Sequence, residues 1–289
     1  MVEQMKKIAV KTILTIIALA YIIPLLIVFT NSFMSQNEIT RNYGSEYDLF
    51  DYEKKGLTHY AEYKLIPEKI TFEQYETLLF KTPMYLDLFV NSIKLTLPIV
   101  LLQAFIGSAA AYGFSVWRSR FKEIIFCGYI VVMALPFQTT LVSNYIMADK
   151  LGILNTHLSI ILPWAFNPFA VFIMRQCMKD IPHSIFEAAQ IDGAEHYRRF
   201  WHIALPMSKG GAAALVILSF ADCWAMVEQP VIFLKDAALE PLSVMLYKIG
   251  QGNMGLIFAA SVFYMLPAVW IFLYGQDHFE QGVKLSALR

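Results

Sequence analysis

The stretch EAAQIDGAEHYRRFWHIALP, Glu187 to Pro206, crowds acids, arginines and histidines between two long apolar runs. Together with the residues just before it, this stretch predicts two short helices joined by a turn. Pro182 suits the first turn of a helix, whose leading N–H groups have no intrahelical partner, and Asp180 is a candidate cap before it. Ile185, Ala188, Ala189 and Asp192 then share one face, and the two alanines permit close approach of another backbone. Gly193 ends that helix or permits a sharp turn. In the second helix Tyr197, Phe200, Trp201 and Ala204 make the apolar face, while Arg198, Arg199 and His202 lie elsewhere. Pro206 breaks this helix, and the next apolar run starts after Lys209-Gly210-Gly211. The expected product is a polar helix–turn–helix knob over residues 177–208, gripped at both ends by apolar spans.

The flanks say what grips it. The 289 residues are 57% hydrophobic and 16% charged, against about one quarter charged in soluble domains, which points to a membrane. A helix needs roughly 20 mainly apolar residues to cross the hydrocarbon core. Six segments qualify, at about 9–30, 89–114, 123–145, 157–176, 210–233 and 255–276. They are too long and too continuous for barrel strands. The fold class expected is an all-α membrane protein, one transmembrane domain over 1–289.

Lys6, Lys7, Lys11, Arg118, Arg120, Lys122, Arg175, Lys179, Arg198, Arg199, Lys209, Lys284 and Arg289 fall on one side of that layout. The other side holds fewer cations, most of them in the long 31–88 excursion, which counts little toward orientation. Both termini and the knob are therefore expected in the cytoplasm. The 31–88 segment is expected outside, its 41–69 stretch a loosely ordered loop or a contact for an external partner. TFEQYETLLF, 71–80, reads as a short amphipathic helix near the outer interface. Net charge is zero, which gives no reason to expect a nucleic-acid partner. Cys127, Cys177 and Cys223 fit no metal-ligand spacing. The chain has no G-x-x-x-x-G-K, nucleophile elbow or H-E-x-x-H, so ATP binding by a Walker motif of its own is excluded.

The spacing inside the knob resembles a known signature. E-A-A, three residues, G, nine residues, I-x-L-P is similar to the coupling loop of binding-protein-dependent ABC importer permeases. Here it is Glu187-Ala188-Ala189, Gly193, Ile203 and Leu205-Pro206. AAQIDGA, Ala188 to Ala194, resembles the form typical of carbohydrate importers. The likeness runs over about 71–277, through FEQYETLLF (72–80), AAAYGFS (109–115), LPFQTTLV (135–142), LGILNTHLSIILP (151–163), FAVFIMRQ (169–176) and PLSVMLYKIG (241–250). It is best to the second, six-span permease of maltose-type sugar importers.

That resemblance implies a type I importer architecture in a prokaryotic cytoplasmic membrane. It implies a second permease as heterodimer partner, two cytosolic ATPase subunits, an extracytoplasmic solute-binding protein and a carbohydrate cargo. No cofactor belongs to this chain; ATP and magnesium belong to the ATPases. Carried over, Glu187 is the ionic anchor toward an ATPase arginine, and Ala188 and Ala189 permit close seating. Asp192, Gly193 and Ala194 form the turn, and Ile203, Leu205 and Pro206 fix where the knob leaves the membrane. Residues 234–255 correspond to a loop that reaches a docked receptor, and the C-terminal tail to one that touches the ATPase.

Asp222, Trp224 and Glu228 sit within or near the outer end of the fifth apolar run. A carboxylate within a span is costly, so it should face a cavity or a partner. These three residues are candidates to line the pathway, Trp224 by stacking on a sugar ring; the alternative is pairing with the partner permease or breaking the span with Pro230. Relatives often carry Asn after this tryptophan; here it is Ala225. Asn91 and Gln138 are further pathway candidates that equally suit interhelical hydrogen bonding. The rivals are an ion-coupled secondary transporter, which needs inverted repeats or paired intramembrane charges, and an ABC permease for a non-sugar solute.

Overall fold

The computed structural model describes residues 2–43, 64, 66–117, 119–248 and 254–287, and every regular element among them is helical. In chain order these are α1 (Val2–Asn31), α2 (Gln36–Tyr43), α3 (Glu73–Glu76, continued as a π turn, Thr77–Lys81), α4 (Met84–Val116), α5 (Phe121–Met133), α6 (Phe137–Lys150), α7 (Leu158–Ala165) and α8 (Pro168–Lys179). Then come α9 (His183–Ile191), α10 (His196–Arg199), a π turn (Phe200–Ala204), α11 (Leu205–Met207), α12 (Lys209–Trp224), α13 (Glu228–Phe233), a 3-10 turn (Ala237–Leu239), α14 (Leu242–Lys248) and α15 (Met254–Ala287).

Four helical segments are long and apolar enough to cross a membrane: Met5–Asn31, Met84–Val116, Leu158–Lys179 and Met254–Gln276. Two bent pairs bring this to six if each pair counts as one span. The expected spans at 9–30, 89–114 and 255–276 fall inside α1, α4 and α15. The expected run at 157–176 is broken at Phe166–Asn167, where Asn167 Oδ1 accepts from Phe169 N–H at 3.0 Å and Pro168 opens α8.

Two expected spans are not single helices. The 123–145 run turns by 98° between α5 and α6. Pro136 has no N–H to donate and disfavours helical backbone at Leu135; it sits extended (ψ 137°) as the cap of α6. The 210–233 run ends at Trp224, and α13 starts separately at Glu228. Pro230 is the reason: a proline is tolerated in a first turn, and restarting at Glu228 puts it there. The Lys209-Gly210-Gly211 triplet, expected as a linker, lies inside α12, and the break falls one residue earlier at Ser208, where the chain bends by 76°.

The chain divides into two compact units, Met1–Asp87 with Met245–Leu266, and Leu88–Val244 with Pro267–Arg289. In the first, α2 is a helix at Gln36–Tyr43, where the sequence reading marked none. Thr71 N–H donates to Phe33 O at 2.8 Å, and the Phe33 ring meets Phe72 and Tyr75. Glu68 is held by Arg41 at 2.6 Å and by Lys64 at 2.9 Å. The Arg41 hydrogen bond, then that of Lys64, lowers its carboxyl from 4.5 to about 2. A depressed carboxylate contributes stability above its unfolded value, and that contribution is lost as pH falls toward 2. Of the expected 41–69 loop, most lies outside the described residues. TFEQYETLLF is helical from Glu73 onward, the helix running one residue past it to Lys81, with Gln74 and Leu78 buried and Phe80 exposed.

The second unit packs α4 against α8 closely enough to require glycine. A Cβ on Gly107 would lie 2.8 Å from Ala170 Cβ and 2.9 Å from its carbonyl carbon. Neither is the end of a flexible side chain, so the helices would have to part. Gly107→Val is expected to destabilise the unit by about 1–3 kcal/mol, read as a lowered thermal midpoint of the detergent-purified protein. An unchanged midpoint would contradict this packing.

Candidate functional site

The knob is built from its hydrogen bonds outward. Pro182 is extended (ψ 131°) and caps α9. Asp180, the expected cap, instead ends α8. At the other end of α9 Gly193 has φ +76°, the left-handed region that costs an L side chain strain. Gly193 N–H donates to Gln190 O at 3.1 Å, and Ala194 N–H to Ala189 O at 2.9 Å. This double bond pattern is the Schellman stop, which satisfies carbonyls that a helix end leaves open. It ties Ala189 to Gly193-Ala194 and shapes the turn. The chain then extends through Glu195 into α10.

Next the backbone widens into the π turn of Phe200–Ala204, whose last bond runs from Leu205 N–H to Phe200 O. Pro206 accounts for it: its ring would meet the carbonyl four residues back, and a wider turn relieves the clash. Ser208 Oγ donates to Ala204 O at 2.6 Å and finishes the segment.

One side of the knob is clamped onto the bundle. Phe186, Phe200 and Ala204 are buried with Tyr112, Met174, Met178 and Leu215. The Tyr112 ring lies 6.0 Å from Phe186 and 5.5 Å from Phe200, spacings at which aromatic pairs attract. Tyr112 Oη is 3.4 Å from His196 Nδ1. Arg199, expected away from the packed face, is buried, with Nη1 donating to Gln190 Oε1 at 3.3 Å. That bond struts α9 to α10. Tyr197 was expected on the apolar face but is 70% exposed; Trp201 is partly exposed and stacks on Phe105.

The other side faces outward. Glu187, Ala188, Asp192 and Gly193 are exposed, Ala189 and Ala194 half-buried, and Ile191 is 86% exposed. Ile203 and Leu205 are half-buried and Pro206 exposed at the knob's exit. The arrangement presents a small-residue surface with a carboxylate and one aliphatic side chain, on a base packed against the bundle.

The pathway candidates separate. Gln138, in the first turn of α6, donates from Nε2 to Glu228 Oε2 at 3.2 Å, so two residues from different breaks meet. Asp222 is exposed on α12. Trp224 is 4% exposed, stacked on Phe220 at 5.2 Å and edge-on to Phe89 at 5.6 Å. In this conformation its neighbours take up the ring faces a sugar would need. Asn91 is buried, and its Nδ2 donates to Ala238 O at 2.7 Å and Glu240 O at 3.2 Å. His157 Nε2 meets Leu239 O at 2.9 Å, and Asn155 Oδ1 accepts from Lys235 and Asp236 N–H. The 234–241 segment is thus pinned by three residues, one on α4 and two in the α6–α7 connection; residues 249–253 of the expected receptor loop, and the tail's side chains, lie outside the described residues. Asn91→Ala leaves two carbonyls without this donor, at about 1–3 kcal/mol for a buried group. Faster proteolysis at 234–241 is expected, and an unchanged cleavage rate would count against the pin.

Sequence reading missed a buried polar chain: Gln103 Nε2 donates to Trp164 O at 2.7 Å, and Trp164 Nε1 donates to Gln229 Oε1. It also missed Arg175, which pairs with Glu123 at 2.7 Å and lies 3.7 Å over the Phe126 ring. Only the presence of uncharged or basic polar groups in apolar runs hinted at either.

Residues 103–285 match the family described as binding-protein-dependent transport system inner membrane component. The chain belongs to that family. Members are membrane subunits of transport systems, not enzymes. Among curated relatives, the arabinooligosaccharides transport system permease protein AraQ of Bacillus subtilis (strain 168) is 26% identical over 77% of this chain and 80% of its own. The lactose transport system permease protein LacG of Rhizobium radiobacter is 26% identical over 68% and 72%. The crystal structure of a bacterial ABC transporter importing the acidic polysaccharide alginate contains a chain with the same fold, TM-score 0.79 at 20% identity, covering 96% of this permease and 97% of that chain.

Proposed function

We propose that this permease passes a sugar or oligosaccharide through the cytoplasmic membrane as one half of a heterodimeric ABC importer. The relatives named for arabino-oligosaccharides, lactose and melibiose, raffinose and stachyose support the cargo class. The observation that carries the mechanism is the knob: a Schellman-stopped E-A-A…G turn, clamped by aromatics on one side and exposed on the other.

In this reading the bent α5–α6 pair is one span and α12 is another, giving six, with both termini and the knob in the cytoplasm and 31–88 outside. Glu187 anchors the knob in a cleft of a partner ATPase, and Ala188 and Ala189 let the two backbones approach. Ile191 and Asp192 complete the contact. Closure of the ATPase pair on ATP then pushes the knob. The Phe186–Tyr112–Phe200 seat transmits that push to α4 and α8, and rocking of these helices exchanges outward for inward access. ATP and magnesium stay on the ATPases. Asp222, Gln138 and Glu228 supply polar groups along the pathway, and the solute-binding protein delivers the sugar from outside.

The test is reconstitution of this chain with the second permease, ATPase and receptor encoded as its partners. Receptor-dependent, sugar-stimulated ATP hydrolysis is expected, together with a cross-link from Ala188→Cys to the ATPase. A complex that assembles yet never places residue 188 against the ATPase would refute the coupling role. Glu228→Ala is expected to slow uptake severalfold while leaving the Ala188→Cys cross-link intact.

A further inference from the structure

We propose that the junction of α4, α5, α8 and α9 is a binding site for the phosphate of an anionic phospholipid headgroup. A solvent-open cavity of about 120 Å³ lies there, lined by Ser115, Lys122, Glu123, Arg175, Lys179 and His183 among others. Three permanent cations face it against one carboxylate. That carboxylate is already taken, because Glu123 Oε1 accepts from Arg175 Nη2 at 2.7 Å. Among the described residues neither the Lys122 nor the Lys179 amine has an ion-pair or hydrogen-bond partner. Two lysines sharing one cavity repel each other, and an anion between them removes that repulsion.

The location selects the anion's source. Val116 ends one candidate span, Lys179 ends another, and Phe121 begins a third. The cavity therefore sits at the level where the bundle leaves the hydrocarbon. Trp117 and Phe121, beside it, are 48% and 69% exposed, and aromatics at that level mark the headgroup zone. Basic pockets between spans at this depth hold lipid phosphates. The floor of the cavity is Phe186 and Ile181, so a bound headgroup would brace the base of the knob against α5 and α8. The inference uses only the reading of these helices as spans and is independent of the sugar assigned above.

Native mass spectrometry of the detergent-purified complex tests it, with dioleoyl phosphatidylglycerol, dioleoyl phosphatidylcholine or inorganic phosphate added. One tight phosphatidylglycerol adduct in excess over phosphatidylcholine is expected. Lys122→Gln with Lys179→Gln should weaken it roughly thirtyfold, at about fivefold per lysine. The Lys→Arg pair should retain it, as should Lys94→Gln outside the cavity. Equal phosphatidylglycerol affinity in the glutamine pair, with an unchanged thermal midpoint, overturns the site. Displacement of the lipid by low-millimolar inorganic phosphate overturns the lipid source and assigns a free anion. Loss of sugar transport without loss of the adduct bears on the proposed function alone.

Discussion

Gly193→Val is expected to leave the permease inserted and assembled while receptor-stimulated ATP hydrolysis and uptake fall about five- to thirtyfold. At φ +76° a side chain with a β-branch clashes with its own backbone, and left-handed geometry costs an L residue about 1–2 kcal/mol. The turn relieves that strain only by opening, which forfeits the Gly193–Gln190 and Ala194–Ala189 bonds, each about 1 kcal/mol. Either way the population with the correct knob shape drops about five- to thirtyfold. None of this touches the span contacts, so the membrane fold survives. Gly193→Asn provides the control, since asparagine tolerates left-handed backbone and should keep most activity. Glu187→Lys leaves the shape intact and reverses the charge, separating recognition from geometry. Wild-type ATPase stimulation in both Gly193→Val and Glu187→Lys would remove the knob from the mechanism.

Phe186→Ala is expected to have the largest effect on stability. The ring is buried and packs on Tyr112 within the cluster that seats the knob. Truncating a buried phenylalanine costs about 3–5 kcal/mol, because the transfer energy is lost and a cavity remains. The loss falls at the joint between knob and bundle. The thermal midpoint should fall, and ATP hydrolysis should continue at a basal rate that no longer responds to receptor and sugar. Phe186→Leu, which fills more of the space, should give an intermediate result. A variant that is destabilised yet fully coupled would show that Phe186 supports the fold without transmitting force.

Legibility differs sharply between these features. The spans at 9–30, 89–114 and 255–276 were readable because burial in lipid requires a long continuous apolar run, a property of the chain in one dimension. The breaks within 123–145 and 210–233 were only half readable. Pro136 and Pro230 were visible, but whether a proline kinks a helix or ends it depends on what catches the freed backbone groups. The turn at Gly193 was readable because its bonds join residues three and five apart, so spacing alone encodes it.

The tertiary structure alone decided which residues work together. Gln138 meets Glu228 across 90 positions, and Arg175 meets Glu123 across 52. Arg199 is buried against Gln190 rather than solvated, and Trp224 is enclosed by phenylalanines rather than open to a ring-shaped ligand. No local pattern marks such pairs, since a charged or aromatic side chain reads the same whether it meets water or a distant neighbour. Hydropathy and short-range spacing, in contrast, act on each segment before any two segments touch. The membrane class, the family and the position of the knob were therefore written in the chain, while the seat, the strut and the pathway contacts came only with packing.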